Sequence, residues 1–182
     1  MSKIGRKPIP ITTAKIEIKG NEIFINGPKA KFTHVVPAQI KVELKDSFLI
    51  VSTSNDKLNK KSKSLWGLHR ALLANKVQGV QIGFEKKIKI VGLGYKAVLS
   101  GKKMTFSLGY SHKVDYNLPN DVEVSIDRTG QKLTLQSSDK FLLGNVCSDI
   151  KALRKTEPYK GTGIMFEDEV IIRKSGKAKG AA

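Results

Sequence analysis

Residues 24–44, FINGPKAKFTHVVPAQIKVEL, decide the fold, because they recur in altered form as residues 106–126, FSLGYSHKVDYNLPNDVEVSI. The two segments align without gaps at a constant shift of 82 residues, from position 24 to position 106. Chance would give about one identity over such a length, and periodic self-similarity is the mark of a repeated unit. The segments share five identities: Phe24/Phe106, Gly27/Gly109, Lys31/Lys113, Pro37/Pro119 and Val42/Val124. The repeat predicts a duplicated domain.

The repeat divides the chain into two predicted domains. Residues 1–82 would form a first α+β repeat with a basic amino-terminal arm. Residues 83–182 would form a second α+β repeat with a basic carboxyl-terminal tail. The boundary is expected near Ile82-Gly83-Phe84, where the second copy starts its own run of strands.

The first copy combines alternating strand patterns with one helical pattern. Ile16 and Ile18 alternate with charged residues, as do Ile23 and Ile25, which is typical of strands with one buried face. Gly20-Asn21 between them suits a tight two-residue hairpin. Further strands are predicted at 40–44 and 48–51, and a helix follows whose apolar stripe would consist of Leu65, Leu68, Leu72 and Leu73.

The second copy shows the same order. Its alternating positions are Ile88, Ile90, Val98, Val122, Val124, Ile126, Leu133 and Leu135. Its helix would begin after a cap at Ser138 or Asp139 and bury Leu142, Val146, Ile150 and Leu153. Strands followed by one helix, twice over, predict an α+β fold. Each of the two tandem similar domains would be an antiparallel sheet packed on one helix, with its other face partly free.

Charge is the unusual feature of the composition. The 182 residues contain 33 Lys and Arg against 16 Asp and Glu, a net charge of +17, with 40% apolar residues. An excess of this size repels itself in the folded state and is normally matched by a polyanion. A protein that is merely rich in lysine stays open as an alternative. No apolar run approaches the roughly 20 residues of a membrane span, so we expect a cytoplasmic chain with no membrane association.

The sequence offers little that could build an active site. The run Gly92-Leu93-Gly94-Tyr95-Lys96-Ala97 matches a dinucleotide fingerprint, but the residues after it indicate a strand and a turn, where nucleotide binding needs a helix. His34, His69 and His112 are far apart in the sequence, so no metal site is expected. Cys147 is the only cysteine and is predicted to pack in the core. We therefore expect no enzyme, no cofactor and no metal.

Four basic stretches are candidates for binding nucleic acid. The first is the arm with Lys3, Arg6 and Lys7, and the second leads into the first helix with Lys57, Lys60, Lys61 and Lys63. Cations at a helix amino terminus oppose its dipole, so either these lysines face an anion or the helix starts only at Ser62 or Ser64. The fourth stretch is the tail from Arg173, which has no apolar anchor and is expected to order only on RNA.

The third and strongest stretch is 154–164, RKTEPYKGTGI, which begins where the second helix should end. Pro158 stops the helix, Tyr159 offers a flat face for stacking and Lys160 a phosphate contact. Gly161 and Gly163 permit unusual dihedrals and close approach of the backbone to phosphate. An ordinary surface loop, in which Arg154 and Lys155 complement the helix carboxyl end, is the competing interpretation.

With the motif Glu157-Pro158-Tyr159-Lys160-Gly161-x-Gly163-Ile164, the chain resembles the L-six family of bacterial large-subunit ribosomal proteins. The resemblance covers essentially the whole chain. Other stretches that match the family are residues 5–9 (GRKPI), 70–73 (RALL), 89–97 (KIVGLGYKA) and 107–112 (SLGYSH). Where the family often has proline after its Ser-His pair, this chain has Lys113.

The resemblance implies a structural role in the large ribosomal subunit. It implies binding to large-subunit rRNA near the base of the factor-recruiting stalk and the sarcin–ricin region, next to other ribosomal proteins and in indirect support of translation factors. No homo-oligomer is expected. Carried over by position, the rRNA-binding residues would be Arg154, Lys155, Tyr159, Lys160, Gly161, Gly163, Tyr95, Lys96, Ser111, His112, Arg173, Lys174, Lys177 and Lys179.

Three other functions compete with this interpretation. A free RNA- or DNA-binding regulator would stay soluble when ribosomes are pelleted. An RNA-modifying enzyme would need a paired carboxylate or histidine site. A membrane-surface protein would bind liposomes even in competition with RNA.

Overall fold

The computed structural model describes residues 3–53 and 60–176, and they form two compact units. The first unit comprises Met1–Gly83 with Ser138–Lys140, and the second comprises Phe84–Ser137 with Phe141–Ala182. Each has its own hydrophobic core, and each is described by itself below. Among the described residues, no helix combines the length and the apolar character that a bilayer crossing requires.

The first unit consists of two three-stranded antiparallel sheets and one helix. Strands β1, β6 and β5 form one sheet, and β2, β3 and β4 form the other. The strands are β1 (Ile9–Pro10), β2 (Lys15–Lys19), β3 (Glu22–Asn26), β4 (Lys31–Val35), β5 (Ile40–Lys45) and β6 (Phe48–Thr53), followed by helix α1 (Lys60–Gln81). The two-residue hairpin at Gly20-Asn21 is confirmed, and Gly20 has a φ of +60°, which suits glycine at the first central position of such a turn.

The second unit repeats this order and adds a strand. The sheets are β11-β12-β7-β13 and β8-β9-β10. The elements are β7 (Phe84–Val91), β8 (Lys96–Ser100), β9 (Lys103–Ser107), β10 (Val114–Asn117), β11 (Val122–Ile126), β12 (Lys132–Ser137), helix α2 (Lys140–Leu153) and β13 (Gly163–Phe166). The dinucleotide-like run is followed by strand β8, which leaves no helix to receive a pyrophosphate.

The two units share one pairing scheme, so the duplicated α+β fold is confirmed. Strand β6 pairs with β1 and β5 in the first unit, as β12 pairs with β7 and β11 in the second. The sequence had indicated one sheet per domain, whereas each unit has two. The alternating apolar positions of both sheets face the same core, and periodicity alone does not tell which strands share hydrogen bonds.

The ungapped alignment of the two copies needs a correction of one residue at its start. In β3 the buried residues are Ile23 and Ile25, and in β9 they are Met104 and Phe106. Phe106 therefore corresponds to Ile25, at a shift of 81. From β5 onward the shift of 82 holds, because Ile40 and Val122 are both buried at the first position of their strands. The second copy has one additional residue between β9 and β10.

Helix α1 buries only part of the apolar stripe that was predicted for it. Leu73 is buried and Leu65 packs against the core, as expected. Leu68 and Leu72, however, are 51% and 39% exposed, and Trp66 and Val77 are buried in addition. The indole N–H of Trp66 donates to the carbonyl of Val51 at 2.7 Å, which anchors this face on β6. A leucine-rich helix has several possible apolar stripes, and the large indole with its polar atom determines which of them is buried.

The ends and the core of the helices bear on two further predictions. Helix α1 already starts at Lys60, so Lys60, Lys61 and Lys63 lie in its first turns, which contain no acidic residue; Lys57 lies outside the described residues. Helix α2 begins directly after Asp139, as predicted. Its buried residues are Leu143, Val146, Cys147 and Ile150, so the expectation that Cys147 packs in the core is confirmed. Leu142 and Leu153, which were predicted to be buried, are only partly buried, because Leu143 points more directly into the core.

Candidate nucleic-acid interface

The segment between α2 and β13, residues 154–162, is a closed loop held by its own backbone; it is called the 154–162 loop below. The amide of Gly161 donates to the carbonyl of Glu157 at 3.0 Å, and the amide of Glu157 donates to the carbonyl of Thr162 at 2.9 Å. The amide of Ile164 donates to the carbonyl of Arg154 at 2.9 Å and closes the base of the loop. Side chains at its tip are therefore displayed on a fixed frame.

The two glycines shape this loop through close backbone contacts. Gly163 has a φ of +138°, and a Cβ added there would lie 2.7 Å from the carbonyl oxygen of Lys155. Gly161 has a φ of +71°, and its Cβ would lie 3.2 Å from the guanidinium of Arg173. Both are buried, and the N–H of Gly161 is used within the loop. The two glycines therefore allow the backbone conformation of the loop. The expectation that Gly161 would offer its N–H to phosphate does not fit this geometry, because that N–H already binds the carbonyl of Glu157.

The predicted contact residues are accessible on the 154–162 loop. Tyr159 is 55% exposed, and Lys155 and Lys160 are also exposed. The one acidic side chain of the loop, Glu157, accepts a hydrogen bond from the hydroxyl of Thr162 at 3.2 Å, so its carboxylate is partly engaged in holding the loop. The outer surface of the loop therefore presents an aromatic ring and two lysine side chains, beside the exposed and partly engaged carboxylate of Glu157.

The segment that contains Arg173 and Lys174 runs beside this loop. The amide of Lys174 donates to the carbonyl of Pro158 at 2.9 Å. Arg173 and Lys174 are exposed, so their charges add to those of the loop. Lys177 and Lys179, which the sequence also suggested, lie outside the described residues.

A second loop, residues 108–113, contacts the end of α2 through Tyr110. Its hydroxyl donates to the carbonyl of Leu153 at 3.0 Å. The guanidinium of Arg154 lies over the ring of Tyr110, 4.8 Å from the centroid, a cation–π geometry. The ring of His112 stacks on the ring of Tyr110, with 6.1 Å between the two centroids and 19° between the two planes. Tyr110, Ser111 and His112 are all exposed.

A third loop, residues 92–95, joins the second through Tyr95. A Cβ on Gly92 would lie 2.6 Å from the ring of Tyr95, and one on Gly109 would lie 2.9 Å from it. The ring therefore fits only because both neighbours are glycines. The glycines of the dinucleotide-like run have this packing role instead of a phosphate-binding one, and Lys96 follows directly as the exposed first residue of β8.

Arg154 has the strongest electrostatic link within this group. Its hydrogen bond with Tyr110 raises the pKa of the guanidinium above its ordinary value, and the proximity of Tyr95 adds to the effect. Arg154 therefore carries its full positive charge in every physiological condition. It links the two aromatic loops to the start of the 154–162 loop.

The structure thus brings most of the candidate residues to one end of the second unit. Three loops that are distant in sequence meet there through Tyr95, Tyr110 and Arg154. Tyr110 was missed as a site residue, although it lies inside the quoted run 107–112, because its contacts with α2 exist only in the folded chain. We call this end, formed by the 92–95, 108–113 and 154–162 loops, the loop end of the second unit.

The histidines are arranged differently from expectation in one respect. His34 and His69 are far apart in sequence, yet His34 Nε2 lies 3.0 Å from His69 Nδ1 in the first unit. Within residues 3–53 and 60–176, no three His, Cys, Asp or Glu side chains are close enough to hold a metal ion.

Comparison with known proteins gives a consistent result. A family model described as "Ribosomal protein L6" matches residues 9–83 and again residues 91–167. The two matches correspond to the two copies of the duplicated fold.

Similar proteins match over nearly the full chain. The large ribosomal subunit protein uL6 of Syntrophomonas wolfei is 44% identical over 181 residues, which cover 99% of both chains. The protein of the same description from Methylacidiphilum infernorum is 43% identical over 178 residues, 97% of this chain and 98% of that protein. The one from Myxococcus xanthus is 42% identical over 186 aligned positions. The chain therefore belongs to the ribosomal protein L6 family.

Proposed function

We propose that this chain is a non-catalytic structural component of the large ribosomal subunit in the cytoplasm and binds large-subunit rRNA through the loop end of its second unit. The site on the rRNA would lie near the base of the stalk and the sarcin–ricin region, beside other ribosomal proteins. By holding these RNA helices in place, the chain would indirectly support the docking of translation factors. It would catalyse no reaction.

The observation that supports this proposal best is the convergence of three loops around Tyr110 and Arg154. The hydroxyl of Tyr110 forms a hydrogen bond with the carbonyl of Leu153 at the end of α2. The guanidinium of Arg154 lies 4.8 Å from the centroid of the Tyr110 ring. RNA that is not a regular duplex is recognised by shape, by stacking on aromatic rings and by phosphate contacts. A fixed group of exposed aromatic rings and cations provides those contacts together.

Each part of the loop end would have a distinct role. Lys155, Lys160 and Lys174 would contact phosphates, release counterions and so provide affinity. Tyr159 would stack on an unpaired base or a ribose. The closed backbone of the 154–162 loop, with Gly161 and Gly163, would provide the shape that determines the register on the RNA.

The proposal is tested by changing Lys155 and Lys160 together to alanine. The variant should bind an rRNA fragment with the stalk-base and sarcin–ricin helices more weakly. The slope of log K against log salt should fall by about 1.5, at roughly 0.7–0.9 for each lost phosphate contact. Filter binding or fluorescence anisotropy at several salt concentrations measures both quantities.

A matched control is the pair Lys15→Ala and Lys31→Ala. These two lysines are exposed on β2 and β4 of the first unit, on either side of Asn26, and their removal changes the net charge equally. An unchanged slope in the Lys155/Lys160 variant, or an equal loss in the control, would contradict the proposed site. Crosslinking of the intact particle, mapped to residues, tests the location on the rRNA.

A further inference from the structure

The outer face of the four-stranded sheet in the second unit has a cationic part that the loop end does not include. On β7, Ile88 and Ile90 point into the core, while Lys87 and Lys89 point outward and are exposed. On β12, Leu133 and Leu135 are buried and Lys132 is exposed. The alternation thus gives this sheet a core face and a polar face with several lysines.

Lys89 lies directly opposite Lys132 in the antiparallel pairing of β7 and β12. Side chains at such positions have Cβ atoms about 4.5–5.5 Å apart, and like charges there are unfavourable. Among the described residues neither lysine forms an ion pair, whereas other lysines of this unit do: Lys87 with Glu85 at 3.5 Å, Lys103 with Asp115 at 2.8 Å and Lys151 with Glu169 at 2.7 Å. The repelling pair is understandable if an anion lies over it.

A groove runs beside this pair along the edge of the sheet. Its lining combines the apolar residues Val91, Met165 and Ile171 with the polar residues Lys89, Gln131 and Arg173. The carboxylate of Glu169 also lines it, but both oxygens of that carboxylate bind Lys151 at 2.7 Å. Lys151 therefore neutralises the acid, and the net charge of the remaining lining is positive.

The groove is continuous with the loop end. Gly92, which lines the groove, is the glycine on which the ring of Tyr95 packs. Arg173, which also lines the groove, lies against Gly161 of the 154–162 loop. An RNA strand that left the loop end on either side would meet the groove next.

We infer that this sheet face is a second contact surface for the RNA backbone, in which Lys89, Lys132 and Arg173 bind consecutive phosphates of a strand that extends from the loop end. The inference rests on the proposed function and extends the binding site from the loops onto β7 and β12. Charge favours RNA over a protein partner, because Lys89, Lys132 and Arg173 form no ion pair among the described residues, whereas the nearby acids Glu85 and Glu169 are already paired with Lys87 and Lys151.

The first experiment changes Lys89 and Lys132 together to alanine in the full chain. The slope of log K against log salt for the rRNA fragment should fall by about 1.5, with little change in the Lys15/Lys31 control. Without RNA the variant should unfold at the same temperature as the parent or higher, because the repelling pair is gone. A lower unfolding temperature with an unchanged slope would mean that the two lysines serve the fold, and would overturn the inference.

The second experiment places a probe in the groove. Cys147 is fully buried, so an iron chelate that reacts with thiols would attach selectively to a Gln131→Cys variant. The tethered iron should cleave rRNA close to the nucleotides that a probe on a Tyr159→Cys variant cleaves. Cleavage from position 159 with none from 131, or a crosslink from 131 to a ribosomal protein in the particle, would overturn the inference and leave the loop end in place. Loss of cleavage from both positions, with no effect of the Lys155/Lys160 change, would remove the proposed function as well.

Discussion

Single residues at the loop end have roles that follow from the space around them. Gly163 leaves room for the carbonyl of Lys155, and Gly92 and Gly109 leave room for the ring of Tyr95. The sequence marks these glycines as special, because clustered glycines indicate unusual backbone. It does not tell whether the free space serves a phosphate or a neighbouring side chain, since that depends on which loop folds against them.

Two glycine-to-alanine variants test whether the space beside Gly163 is required for the fold. Gly163→Ala should lower the free energy of unfolding by about 2 kcal/mol or more, because alanine meets both an unfavourable φ and the backbone of the 154–162 loop. Gly144→Ala should raise it by about 0.5–1 kcal/mol, because Gly144 lies inside α2 with no atom within 4 Å of its Cβ position. Urea unfolding of both variants measures the difference, and equal effects would show that the loop adapts to the added methyl group.

At the scale of elements, both units join the third strand of one three-stranded sheet, β2-β3-β4 or β8-β9-β10, to the helix by a polar bridge. In the first unit it is His34 of β4 with His69 of α1 at 3.0 Å. In the second it is Tyr116 of β10, whose hydroxyl donates to Asp149 of α2 at 3.1 Å. His34 and Tyr116 are equivalent at the shift of 82, opposite Ile23 and Met104. The duplicated scaffold keeps the bridge and changes its chemistry.

The two bridges should respond differently to pH. Burial, reinforced by nearby Lys76 and His69, lowers the pKa of His34 to about 4. Its contribution to stability is therefore complete above the ordinary pKa of 6.5 and is lost as the pH falls from there toward 4. Burial and the hydrogen bond to Asp149 raise the pKa of Tyr116 to about 12, so the hydroxyl of Tyr116 should keep its proton up to pH 10.

The prediction is a loss of about 2–3 kcal/mol of unfolding free energy between pH 7 and pH 4 from His34, at 1.36 kcal/mol for each pKa unit. Chemical unfolding of the parent and of His34→Gln at several pH values measures it. The variant should lose less stability over this range than the parent, whereas His112→Gln should follow the parent, because His112 is exposed. An identical acid dependence in His34→Gln and the parent would contradict the assignment.

At the scale of the whole molecule, the net charge of +17 acts against folding and in favour of binding. Like charges on one chain repel each other, and salt screens this repulsion over about 10 Å at 0.1 M. The same salt weakens binding to RNA, because the release of counterions gains less entropy when the surrounding salt concentration is higher. The positive charge therefore lowers the stability of the free chain and has a favourable effect only when RNA is bound.

The two effects of salt can be measured on one sample. Raising sodium chloride from about 0.02 M to 0.2 M should raise the unfolding temperature of the free chain and weaken its complex with rRNA. A neutral osmolyte at equal osmolality is the control and should leave the binding largely unchanged. A free chain whose unfolding temperature falls with salt would show that attractive ion pairs outweigh the net repulsion.

Local sequence was sufficient for eight of the strands, the hairpin at Gly20-Asn21, the start of α2 after Asp139 and the duplication. It did not predict β1, β4, β9, β10 and β13. Alternating apolar residues and turn glycines act over a few positions, so their signals can be read directly from the chain. The division of each set of strands into two sheets, and the face that α1 buries, were not accessible in this way. They depend on which strands bond to each other and on where the indole of Trp66 finds an acceptor.

The candidate site divides along the same line. The sequence alone indicated the basic loop with Pro158, Tyr159 and Lys160. A loop of this kind is recognised from its own residues, because its composition does not depend on contacts with distant segments. The place of Tyr110, the packing of Tyr95 and the opposed lysines 89 and 132 come only from the tertiary structure. They are contacts between segments separated by tens of residues. The additional residue between β9 and β10 also changes the length of the loop that contains Tyr110.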